Sequence, residues 1–400
     1  MESDDARRGK PRARALGIPF DGTPGARNAL TDVAGVEVGH VTLIEGDGPL
    51  RVGAGPVRTG VSAVLPLGRA GIGKACPAGW YALNGNGEMT GTHWITETGG
   101  LSSPVMLTNT HAVGGVHRGV VDWVAANRPD VSIQWLLPVV AETWDGYLND
   151  INGDHVKPAH AMAAIDAAAS GAFEEGSVGG GTGMNCYGFK GGVGTASRLV
   201  EFGSRTHTVA AYVQANFGDR AELRLGGVPL GDLDVPNPME ETRWFARDLE
   251  RAGAALREIA QAPPSGAGSV IALVATDAPL LPAQCTALAR RVPLGLARTG
   301  TTGSHFSGDL FLAWSTDGAG ALDSRFHSAP PGETPYESLR FVPWGRMDRF
   351  YAAVVQAVEE AVANALIANA DMTGRDGNWT PALPHDLVRD RLRSRGVLAD

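Results

Sequence analysis

"APPSGAGSVIALVATDAPLL", residues 262–281, joins two unlike textures. Small, turn-forming residues end at Gly268, and an unbroken apolar run begins directly after it. Such a run reads as a strand buried on both faces, which needs a covering layer on each side. Ser269 stands at the seam. As the first residue of a strand it reads as a cap after a loop. It also reads as a nucleophile made by cutting the chain in front of it.

Similar textures recur around this stretch. "GVSAVLPLG" (60–68), "HTVAAYVQANFG" (207–218) and "SGDLFLAWST" (307–316) read as strands. "SIQWLLPVVAETWDGYLNDING" (132–153) reads as a buried strand running into a loop. Helices are expected over 117–129, 157–172, 239–262, 278–299 and 345–370, from apolar spacing bounded by proline or glycine. Strands and helices alternate with no linker long enough to divide two autonomous units. The expectation is one layered α/β sandwich over residues 16–400, preceded by a flexible tail, 1–15, whose basic "RRGKPRARA" reads as solvated.

Composition narrows the function. The chain of 400 residues is 43% hydrophobic and 19% charged, enough for a sizeable core. Its 54 glycines cluster in loops such as "GSVGGGTGMNCYGFKGGVGTAS" rather than in a period. A net charge of −9 argues against nucleic acid as the partner. Cys76, Cys186 and Cys285 form no CxxC and are odd in number, which fits a reducing, cytoplasmic setting. No secretory apolar region and no 18-residue apolar run is seen, so no membrane association is expected.

Several familiar chemistries fall away. "GRAGIGKA" (68–75) approaches a phosphate loop but ends in Ala75 where a Mg²⁺-binding hydroxyl belongs. The ten histidines show no metal-ligand spacing, so neither metal nor cofactor is expected. There is no GxSxG elbow. A serine that supplies its own base remains. If the Gly268–Ser269 bond is cut, Ser269 gains an α-amine with an unperturbed pKa of about 8, neutral often enough to take the hydroxyl proton.

Seven segments, "GTPGARNALTDVAGVEVGHVTL", "NGNGEMTGTHWI", "LTNTHAVGGV", "VVAETWDGYLNDINGDHV", "VGGGTGMNCYGFKGGVGTASR", "YVQANFG" and "GSVIALVATDAPLL", together resemble the L-aminopeptidase D-Ala-esterase/amidase family, which includes the β-peptidyl aminopeptidases. They span about residues 16–360 in family order. The resemblance implies a four-layer αββα sandwich that cleaves itself between Gly268 and Ser269 into an α chain (1–268) and a β chain (269–400). It implies Ser269 as nucleophile and Ser307 and Asp309 as the Ser-x-acid element. The family carries Glu at the acid position, one methylene longer than Asp309. Asn216 matches the oxyanion donor, and Glu142 the carboxylate that binds a substrate ammonium. A site aromatic falls on Trp144 or Tyr147. The implied activity releases N-terminal residues (L-α, D-α or β) from short peptides, amides or esters, without cofactor, by a homo-oligomer, a tetramer of processed protomers. The rivals are an acyltransferase using the same acyl-enzyme, a non-catalytic scaffold that keeps the fold, and a nucleotide-binding protein using "GRAGIGKA".

Overall fold

Two sheets carry the fold in the computed structural model, which describes residues 10–253, 266–324, 326 and 336–398. Their strands, in chain order, are β1 (Glu37–Glu45), β2 (Val57–Leu65), β3 (Cys76–Gly85), β4 (Gly100–Leu101), β5 (Val105–Asn109), β6 (Val139–Thr143), β7 (Gly192–Phe202), β8 (Arg205–Asn216), β9 (Gly268–Thr276) and β10 (Ser307–Ser315). One sheet runs β1-β2-β5-β6 and the other β4-β3-β10-β9-β8-β7. The pairs β5/β6 and β9/β10 are parallel; the rest of each ladder is antiparallel.

The period-two alternation along β9 explains the layering. Val270, Ala272 and Val274 join one core cluster, and Ile271, Leu273 and Ala275 another. The odd set packs against the other sheet, meeting Leu107, Val139 and Ala141. The even set packs against α4 (Pro282–Ala289), α5 (Val292–Arg298) and α6 (Asp348–Ile367), through Leu288, Leu296, Val354 and Val358. On the far side, Val61, Ala63 and Met106 pack against α1 (Val113–Asn127) and α2 (Pro158–Asp166). The order is helix, sheet, sheet, helix, an αββα sandwich. Each fully buried Leu, Ile or Val in these seams contributes about 1.5–3 kcal/mol. α6 is long and apolar enough to cross a membrane by composition, yet 78% of its most apolar window is buried here as a core helix.

Several expectations need correction. The tail ends early: from Lys10 the chain is docked, with Arg12 donating to Glu175 at 3.2 Å and Arg14 pairing with Glu360 at 2.8 Å. Residues 132–138 are not strand, because Ile133, Trp135 and Leu137 face outward and pairing starts at Val139. The helix expected over 239–262 breaks at Thr242, which is extended, and resumes as α3 (Trp244–Ala252), ending at Gly253 with φ 100°. Its last part, 254–262, lies outside the described residues. The helix expected over 278–299 divides at Arg290–Arg291, and Pro293 sits in the first turn of the second piece.

Candidate active site

The strand register collects the expected residues at one end of the six-stranded sheet. Ser269 lies opposite Asn216 on β8 and beside Gly308 on β10. Gly308 stands between Ser307 and Asp309, which share a strand face because they are two residues apart. Their side chains bond directly, Ser307 Oγ donating to Asp309 Oδ1 at 2.5 Å. Asn84 of β3 donates from Nδ2 to Asp309 Oδ2 at 3.0 Å, so both carboxylate oxygens are engaged. Burial nonetheless holds the Asp309 carboxyl above its ordinary range, against the pull of these bonds.

Ser269 is buried, and its Oγ accepts the backbone N–H of Trp144 at 3.3 Å. Trp144 directly follows β6, so the other sheet delivers this amide across the sandwich. Asn216 Nδ2 donates to the Trp144 carbonyl at 3.0 Å. Its Oδ1 accepts from the backbone of Asn185 at 2.8 Å, which fixes which way the amide faces. Gly268 has no room for a side chain. A β-carbon there would sit 2.0 Å from the Asn216 carbonyl oxygen.

Glu142, on β6, is also buried. Its Oε1 accepts the Glu88 N–H at 2.9 Å and its Oε2 accepts the Thr110 hydroxyl. Desolvation raises its carboxyl above the usual range, with those two hydrogen bonds opposing. A buried carboxylate with no cation among these partners suits an incoming ammonium.

The two aromatic candidates separate. Trp144 is 36% exposed and bonds Ser269 through its backbone. Tyr147 is fully buried, its hydroxyl on the Trp379 carbonyl at 3.1 Å and its ring against Trp244. "GRAGIGKA" forms a short turn with Lys74 exposed. Residues beyond the expected set also enter: Asn84, Thr110, Asn185 and the Glu88 amide. Each lies inside or beside a family-like segment, but a side chain or amide that orients another residue leaves no spacing signature.

Comparisons with known proteins place the chain in a family. Residues 28–380 match the model of peptidase family S58. The β-peptidyl aminopeptidase BapA of Sphingosinicella microcystinivorans is 48% identical over 389 residues, covering 97% of this chain and 93% of that protein. Its namesake from Sphingosinicella xenopeptidilytica is 42% identical over 388 residues, covering 96% and 92%. The solved L-aminopeptidase D-Ala-esterase/amidase of Ochrobactrum anthropi, a serine aminopeptidase with a variant of the Ntn hydrolase fold, superposes with TM-score 0.82 at 43% identity, covering 98% of this chain and 100% of that one. A Burkholderia sp. β-aminopeptidase superposes with TM-score 0.81 at 41% identity, covering 96% and 99%.

Proposed function

The chain belongs to peptidase family S58 and is a self-processing aminopeptidase of the N-terminal-nucleophile serine type, acting on peptides; from that premise we propose that Ser269 is its nucleophile, freed by cleavage of the Gly268–Ser269 bond. The observation that carries this reading is the placement of Ser269 Oγ against the Trp144 amide, with Asn216 opposite and the Ser307–Asp309 pair on the adjoining strand.

In maturation, Ser269 Oγ attacks the Gly268 carbonyl carbon, the C–N bond breaks, and water hydrolyses the resulting ester. The freed α-amine then acts as base. It takes the hydroxyl proton as Oγ attacks the substrate carbonyl, and it gives that proton to the departing amine. Water frees the acyl-enzyme by the same relay. The Trp144 N–H and Asn216 Nδ2 serve the developing oxyanion; one such donor is worth roughly 2.7–4 kcal/mol. Ser307 and Asp309 orient the amine. Glu142 holds the substrate's free ammonium, which restricts the enzyme to N-terminal residues. The likeness to β-peptidyl aminopeptidases supports short peptides with an N-terminal β-residue as substrates. Three free, buried cysteines support work in a reducing cytoplasm, and family analogy supports an assembly of processed protomers, a tetramer.

The test is a denaturing gel with N-terminal sequencing. The parent yields two chains, the smaller beginning at Ser269. Ser269→Ala stays single and inactive. A parent that is active as one uncut chain refutes the proposal.

A further inference from the structure

We propose that Arg375 is a positioning residue for the loop that faces the nucleophile, and that through it helix α3 remains part of the active site after the cut. This rests on the reading of Ser269 given above.

The Trp144 indole folds back over Gly146; a β-carbon at Gly146 would lie 2.4 Å from the ring. The next ring outward is Trp244, the first residue of α3, 6.1 Å away between centroids. Trp244 also meets Tyr147 edge-on at 5.1 Å and donates its indole N–H to the Met239 carbonyl at 2.8 Å. Loop and helix therefore share one aromatic stack.

Arg375 fastens both sides of that stack and is 4% exposed. Its Nε donates to the Gly146 carbonyl at 2.6 Å. Its Nη1 and Nη2 reach the two oxygens of Asp248, on α3, at 3.0 and 2.5 Å. Its backbone N–H donates to the Leu148 carbonyl at 2.9 Å. Neighbours repeat the pattern: Asp376 takes both Arg251 nitrogens at 2.6 Å, and Asn378 bridges Arg247 at 2.7 Å and the Tyr147 carbonyl at 2.8 Å. Arg375 lies in the expected β chain; α3 is the last helix described before the expected cut. A planar guanidinium presents donors along several edges at once, which an ammonium cannot reproduce. A newly made chain end tends to fray unless tied down. The Arg375 clamp holds α3 to the β chain, and the same side chain fixes the Gly146 carbonyl, two residues beyond Trp144.

The measurement is kcat and KM for mature enzyme carrying Arg375→Lys, Asp248→Asn or both, with melting temperature and a denaturing gel alongside. Arg375→Lys is expected to cut itself and melt near the parent, yet to lose about 10- to 100-fold in kcat with KM within about threefold. Asp248→Asn is expected to lose less, and the double variant to be no worse than Arg375→Lys, because both act through one loop. Parent-like kcat in Arg375→Lys, a loss confined to KM, or additive losses would each overturn the clamp. If Arg375→Lys fails to fold, a parent-like kcat in Asp248→Asn overturns it alone. A parent lacking a free Ser269 amine defeats the nucleophile reading instead, so the two failures are told apart.

Discussion

Glu142 is the buried carboxylate proposed to hold the substrate's ammonium. It accepts one bond from an amide and one from a hydroxyl, both neutral, which leaves a lone pair on each oxygen and its charge unmatched by these two partners. Glu142→Gln is expected to mature normally. Its kcat/KM on free-amine peptides should fall about 100-fold, in line with the roughly 1.5–3 kcal/mol of a charge-assisted bond. The pH sign follows from burial. With its pKa raised, Glu142 loses its charge on acidification earlier than an ordinary carboxylate. The Ser269 amine contributes one acid limb to kcat/KM; Glu142 should add a second, above the usual carboxylate range, and Glu142→Gln should remove only that second one. Persistence of the second limb in the variant would take Glu142 out of substrate binding.

At the scale of elements, the site depends on how closely β8 and β9 approach at Gly268. The Asn216 carbonyl occupies the place of a side chain there. Gly268→Ala must push the two strand ends apart, and with them Asn216 and Ser269, which face each other in register. Displacements of this order cost about 100-fold in well-aligned reactions. Conversion to two chains, followed by gel after synthesis, should slow by a comparable factor. Conversion at the parental rate would show that strand spacing does not govern the cut.

At the scale of the molecule, the sandwich buries charge that the proposed reaction does not use. Asp145, next to Trp144, is fully buried, and desolvation pushes its pKa from 3.8 up to about 7. Its stabilising contribution is full below the unfolded pKa and is lost as pH rises through about 7. Lys190, also fully buried, is pushed down to about 7 by desolvation, with the Asp145 charge among those opposing that fall. Asp145→Asn removes the ionisation that costs stability at high pH, while at low pH the carboxyl it replaces is already neutral. The melting temperature of Asp145→Asn minus that of the parent should rise by roughly a few degrees from about pH 5 to about pH 8. A constant difference would mean that Asp145 does not titrate in this range.

The alternation along 269–276 requires two covering layers, and the seam at Gly268–Ser269 marks the nucleophile candidate. The "SGD" spacing puts Ser307 and Asp309 on one face by strand geometry alone. These features are local: they depend on strand periodicity and on residues two apart. How the loop carrying Trp144 and Tyr147 sits is not local, because it turns on the Trp144 amide, the Tyr147 hydroxyl and the Gly146 carbonyl meeting Ser269, Trp379 and Arg375. Nor are the supports from Asn84, Thr110 and Asn185, or the docking of Arg12 and Arg14, legible in the chain. Each joins groups far apart in the sequence, and a hydrogen bond between distant residues imposes no period on it. The sequence specified the strands and the chemistry they carry; the packing of one sheet on the other specified which loop faces the nucleophile.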